Sequence, residues 1–159
     1  MTLLGIIFSA LIHDVDHRGV SNAQLCKEND SLEKAYHGKS VAEQHSLNIA
    51  WTILMRPEFS ELRATLFSTR SQLLRFRQIL VNIVLATDIF DKELNGLRKQ
   101  RWSKAFGEKK DDNNLRATIV LEHIIQASDV SHTSESTAGK RQFGISDYVN
   151  LRSATLARV

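Results

Sequence analysis

Residues 71–90 limit the fold before anything else does. Phe76, Ile79, Leu80, Ile83 and Val84 recur at spacings of three and four, which lays them on one face of an α-helix and splits them between the two faces of a strand. Thr87 and Asp88 follow at the end of that face, so the pattern delivers a polar pair into the interior, where each group needs a partner. A hydrated ion or a backbone carbonyl would each serve. The rest of the chain is consistent with helix: it has a single proline, and neither sustained period-two alternation nor an Asn-Gly hairpin between apolar runs. The expected class is all-α. With 159 residues and 42% apolar content, one domain with a buried core is expected.

A formal charge of +3 permits an anionic substrate but does not point to nucleic acid, which calls for a clustered basic face. Lys and Arg do gather between Lys92 and Lys110, but Asp91, Glu93 and Glu108 interleave with them, and the span reads as a solvated helix and loop. The lone Cys26 cannot form an internal disulfide, which fits a reducing, cytoplasmic setting, whether alone or as the cytosolic part of a larger protein. The apolar run over residues 3–12 is short for a membrane span and lacks the basic start and cleavage site of a signal peptide. No membrane contact is expected from it. It reads as a core helix cut off at its start.

The densest chemistry follows that run. His13, Asp14, Asp16 and His17 place two imidazoles and two carboxylates in five residues, with Gly19, Ser21 and Asn22 close behind. Imidazole nitrogen and carboxylate oxygen are both good ligands for a divalent ion. If a helix runs over 3–17, His13 and His17 share one of its faces. Ser21 or Asn22 would cap a following helix or pair of short helices over 23–37, with a break at His37-Gly38. Ser40-Val41-Ala42-Glu43 has the form of a capping box, with a helix running on to about Met55 before Pro57. On spacing alone, Glu43 and His45 therefore have ordinary structural roles. A last helix is expected over 115–130, packed through Ile119, Val120, Ile124 and Ile125. Asp129 falls at its carboxyl end, where the macrodipole disfavours an anion, so a cation is wanted nearby. That makes Asp129 the distant ligand best placed to close a site at His13 and Asp14.

Four islands stand in order: His13-Asp14-Val15-Asp16-His17-x-Gly19-Val20-Ser21-Asn22, Ser40-Val41-x-Glu43-x-His45, Ile83-Val84-Leu85-Ala86-Thr87-Asp88 and Ala127-Ser128-Asp129-Val130-Ser131. Together they resemble the catalytic domain of the class I 3′,5′-cyclic nucleotide phosphodiesterases, a branch of the HD-domain phosphohydrolases, over residues 3–133. The resemblance implies a multi-helix domain holding two divalent ions, Zn²⁺ and Mg²⁺ (or Mn²⁺), that hydrolyses a cyclic nucleotide to a nucleoside 5′-monophosphate in second-messenger signalling. It implies His13, Asp14 and Asp129 as metal ligands, with Asp14 bridging to the second ion. It implies Glu43 and Thr87 as holders of that ion's waters, His17 as a contact to the substrate phosphate, and Asn22 as a substrate-pocket residue.

The chain also departs from the pattern. The family's His-Asn-x-x-His motif, source of the general acid and a further zinc ligand, is absent; His37, His123 and His132 read as surface residues. The family's paired histidines appear as His45-Ser46. Residues 134–159 read as a divergent, weakly structured tail, in which Gln142-x-Gly144-x-x-Asp147-Tyr148-Val149 faintly echoes the base-reading motif, too close to Asp129. The expectation is a partial domain over 1–133, truncated at both ends, with impaired hydrolysis. The alternatives are another HD-domain nucleotide phosphohydrolase, or a non-catalytic module that self-associates or binds a full-length phosphodiesterase.

Overall fold

The computed structural model describes residues 1–107 and 113–131, and in these every regular element is helical. The tail over 134–159 with its Gln142–Val149 echo, together with His132, lies outside the described residues. In chain order the helices are α1 (Thr2–Ile12), α2 (Asn22–Glu28), α3 (Asp30–Tyr36), α4 (Val41–Leu54), α5 (Ser60–Leu66), α6 (Arg70–Ala86), α7 (Lys92–Gly107) and α8 (Asn113–Ser131). A 3₁₀ turn at Pro57–Phe59 precedes α5, with the proline at the helix start where its missing N–H costs nothing.

The helix foreseen from the 71–90 pattern, α6, is the axis of the domain, packed by α1, α4 and α8. Phe76, Leu80, Ile83 and Val84 are all buried along it. Phe76 sits between Phe8 and Phe67, with ring centroids 5.7 and 5.0 Å away, in tilted contacts that join α1 and the end of α5 to the core. Close approach of α1 depends on Gly5: a Cβ there would meet Ile79 Cγ2 at 2.5 Å. A second cluster of Leu25, Val41 and Ala42, with Leu32 and Tyr36 against it, gathers α2 and α3 on α4.

The carboxyl end of α6 is buried, and its carbonyls are satisfied one by one, as a buried helix end requires. Val84 O accepts from the Thr87 N–H (3.1 Å) and the Thr87 hydroxyl (2.7 Å), and Ala86 O accepts from Gln126 Nε2 of α8 (2.6 Å). The Arg98 guanidinium of α7 donates to Leu85 O and to Asp88 O. Thus the basic stretch beginning at Lys92 is not wholly solvated as expected: Arg98 is buried because those carbonyls and the macrodipole call for a cation.

Four further expectations are corrected. The first helix ends at Ile12, not near residue 17, because Asp16 takes the left-handed conformation (φ 61°), so His13 and His17 do not share a helical face. The capping box does not form: Ser40 precedes α4 but is itself left-handed (φ 40°), and its hydroxyl donates to Asp88 instead. On α8, Ile119 and Ile125 are buried as expected, whereas Val120 and Ile124 stand exposed and Gln126 and Glu122 take interior positions. His123 is half-buried, its ring 4.9 Å from Trp102, rather than a surface residue.

Candidate metal centre

His13 is the residue on which α1 stops, and it still has helical dihedrals (φ −58°, ψ −31°), so the helix axis sets the direction of its ring. Its Nδ1 lies 2.9 Å from Ala10 O. A carbonyl only accepts, so Nδ1 carries the proton, and a neutral ring presents the Nε2 lone pair outward. That lone pair faces two carboxylates, Asp129 Oδ1 at 3.2 Å and Asp14 Oδ2 at 3.5 Å. A lone pair cannot rest against two anions without a positive charge between them. In the bare protein the charge is a proton: hydrogen bonding to Asp129 above all, with Ala10 O and the charge of Asp14 assisting, raises the His13 pKa to about 9 against the opposing effect of burial.

A divalent ion meets the same need. One ligand atom from each of His13, Asp14 and Asp129 can be chosen so that all lie within 4.8 Å of one another. Metal–ligand bonds of about 2.0–2.2 Å put neighbouring ligands of a tetrahedral ion roughly 3.4 Å apart, so the two His13 spacings fit such a group. The second ring nitrogen, held by Ala10 O, is oriented as ligating histidines usually are. Asp129 comes from the last turn of α8, and its alignment against that helix dipole is offset by the imidazole.

A second network centres on Asn22. Asn22, the first residue of α2, accepts from the Ala42 N–H at 2.8 Å and donates to Glu43 Oε2 at 2.9 Å and to Asp88 Oδ2 at 3.3 Å. It therefore does from a distance what Ser40 was expected to do locally, capping α4. Asp88 is buried and fully engaged: Oδ2 also accepts from Ser40 Oγ at 2.8 Å, and Oδ1 from the N–H groups of Phe90 and Asp91 at 3.1 Å each. Burial holds the Glu43 carboxyl above its ordinary pKa, while Asn22 and the nearby His17 act in the other direction. His17 is exposed and accepts from the Gly19 N–H through Nδ1 at 3.1 Å, which leaves Nε2 as the protonated nitrogen.

The structure thus brings His13, Asp14 and Asp129 into one group, and relates Asn22, Glu43 and His17 in another. Thr87 is half-buried at the end of α6, its hydroxyl proton directed to Val84 O and its oxygen still able to accept. Sequence reasoning missed Ser46 and the pairing of Asp16. Ser46 Oγ donates to Val15 O (2.7 Å), and His45 Nε2 lies 2.9 Å from Asp16 Oδ2. The acid density of residues 13–17 could have suggested a partner for Asp16; nothing local marks Ser46.

The profile of the 3′5′-cyclic nucleotide phosphodiesterase family matches residues 1–144. Among curated relatives, the probable 3′,5′-cyclic-AMP phosphodiesterase pde-4 of Caenorhabditis elegans is 40% identical over 89 residues, covering 56% of this chain and 13% of that protein. The 3′,5′-cyclic-AMP phosphodiesterase 4C of Mus musculus is 30% identical over 148 residues, covering 90% of this chain and 21% of the relative. The chain spans only between 13% and 27% of the length of such relatives. Among solved structures, the phosphodiesterase domain of the RhoPDE fusion protein from the choanoflagellate Salpingoeca rosetta superposes with a TM-score of 0.65 at 26% identity, over 81% of this chain and 40% of that one. By the extent of the family match, and by a helical fold shared with that domain, the chain belongs to the 3′,5′-cyclic nucleotide phosphodiesterase family.

Proposed function

We propose that this chain carries the metal-binding core of a 3′,5′-cyclic nucleotide phosphodiesterase, the reaction being hydrolysis to a nucleoside 5′-monophosphate. The observation that carries the reading is the His13 Nε2 lone pair set against the Asp14 and Asp129 carboxylates. A nitrogen and two oxygens suit Zn²⁺, and the exposed carboxylate of Asp14 leaves an oxygen for a second, harder ion such as Mg²⁺. When bound, two such ions lower the pKa of a water and neutralise phosphate oxygens. Glu43 and Thr87 offer acceptor oxygens for waters of the second ion. His17 presents Nε2–H for a phosphate oxygen, because Gly19 occupies its other nitrogen. Asn22, whose amide is already engaged, frames the substrate side by fixing Glu43. Relatives named as cyclic-AMP phosphodiesterases support a cyclic purine nucleotide as substrate, and the free thiol of Cys26 is in keeping with a cytoplasmic setting.

Among the described residues, His13, Asp14 and Asp129 form the candidate ligand group. The test is metal and substrate together. The full chain, stripped with chelator and titrated with Zn²⁺, is expected to bind one ion in competition with a chromophoric chelator, and His13→Ala and Asp129→Asn are expected to lose it. Hydrolysis of cyclic AMP should be metal-dependent, with linear nucleotides untouched. Preference for a linear nucleotide would favour a different HD-type phosphohydrolase.

A second reading, association with another phosphodiesterase chain, draws on Leu3, Ile7 and Leu11, which stand 72%, 60% and 75% exposed in a row on α1. Light scattering coupled to size exclusion tests it, and a strict monomer rules out self-association.

A further inference from the structure

We propose that Ser46 and His45, consecutive residues of α4, are positioning residues for the metal ligand Asp14, acting through the backbone of the turn that carries it. This rests on the metal reading above. His13 inherits its place from α1, and Asp129 from α8. Asp14 has neither support. It lies past the end of α1 with a side chain 64% exposed, so its carboxylate stands where its own turn puts it. That turn is closed by the Val15 N–H to Ile12 O at 3.1 Å and by the His17 N–H to Asp14 O at 3.0 Å. It also requires Asp16 in the left-handed region at φ 61°, a conformation disfavoured for an L-residue unless its surroundings hold it.

The surroundings that hold it come from α4. Ser46 is 1% exposed and donates its hydroxyl to Val15 O at 2.7 Å, gripping the residue directly after Asp14. His45 Nε2 lies 2.9 Å from Asp16 Oδ2, gripping the next residue, and the edge of Tyr36 on α3 holds the imidazole, with centroids 6.4 Å apart. Two adjacent side chains on one rigid helix thus fix two adjacent residues of the ligand turn. The His45 contact falls on the left-handed residue itself. Neither Ser46 nor His45 belongs to the group that could hold the ion, so their influence on it passes through the backbone.

The experiment measures Co²⁺ binding to the full chain, wild type against Ser46→Ala and His45→Ala. Its readouts are the dissociation constant, the visible d–d absorption spectrum and the thermal midpoint of the metal-free protein. Supports of this kind change metal affinity by about 10–100-fold. Each variant is expected to weaken Co²⁺ by about tenfold or more and to alter the d–d bands, while the metal-free midpoint moves by a few degrees. His45→Gln, which keeps an N–H able to reach Asp16, is expected to recover most of the affinity. If either folded variant binds Co²⁺ within twofold of wild type with an unchanged spectrum, the positioning role is overturned, and His45→Ala keeps the test open should Ser46→Ala not fold. A wild-type chain that takes up no Co²⁺ overturns the metal reading itself, and with it this one.

Discussion

Replacing Asn22 with Ala removes three contacts at once, and the structure gives each a size. Its Oδ1 caps the Ala42 N–H of α4 at 2.8 Å, and losing a cap costs about 1 kcal/mol. Its Nδ2 donates to the half-buried Glu43 carboxylate at 2.9 Å, a charge-assisted bond of about 1.5–3 kcal/mol. The 3.3 Å contact to Asp88 adds little, because Asp88 keeps the Ser40 hydroxyl and two backbone N–H groups. The expected loss is about 3 kcal/mol at neutral pH, or roughly 10 °C in the unfolding midpoint. The loss should also depend on pH. Burial holds the Glu43 pKa above 4.5, so the folded state favours the protonated form, and the buried charge is a net cost at neutral pH that Asn22 reduces. Without Asn22 the folded pKa rises further. The penalty should therefore be full at pH 7 and shrink toward the cap contribution as the solution is acidified toward 4.5. Urea unfolding of both proteins at pH 7 and pH 5, with chelator present, measures it. A loss below ~1 kcal/mol at pH 7, or one equal at both pH values, would refute the reasoning.

Other outcomes follow from the same geometry. The folded His13 pKa of about 9 lies above its ordinary 6.5, so its contribution to stability is fully present below 6.5 and is lost as pH rises through about 9. Metal-free urea unfolding from pH 6 to 10 should show that decline in the wild type and a flatter profile in His13→Gln. Because an ion must displace that proton, Zn²⁺ affinity should rise by up to about tenfold per pH unit below 9, measurable by chelator competition. Gly5→Ala should destabilise by about 1–3 kcal/mol, since its Cβ would lie 2.5 Å from the branched Ile79 and push α1 off α6. Gly96→Ala, in α7 with nothing within 4 Å, should instead stabilise by about 0.5–1 kcal/mol; thermal melts of the two variants should move in opposite directions.

The parts of the fold that could be read from the sequence are those in which periodicity meets one continuous face. Residues 76–84 specified α6, and α6 turned out to be the axis. The electrostatic oddity of Asp129 at a helix carboxyl end was visible in the sequence too, because a dipole acts within its own helix. Where a local motif competed with a distant partner, local reading failed. Ser40 and Glu43 spell a capping box, yet Ser40 bonds Asp88 and Glu43 bonds Asn22. Val120 and Ile124 look like core residues but face outward, while Gln126 is buried to satisfy a carbonyl of α6. A hydrogen bond across forty residues leaves no mark on local spacing.

Sequence by itself determined the helical class, the family, and which side chains could carry the chemistry, because each is set by residue type and by neighbours one or two turns away. Only the tertiary structure decided that His13 and Asp129, 116 positions apart, meet at 3.2 Å, that His17 leaves the helical face of His13, and that α4 grips the turn bearing Asp14. Those outcomes depend on where separate helices end and cross. That is fixed by packing against α6 and by the partners demanded by its buried carbonyls, both properties of the assembled chain.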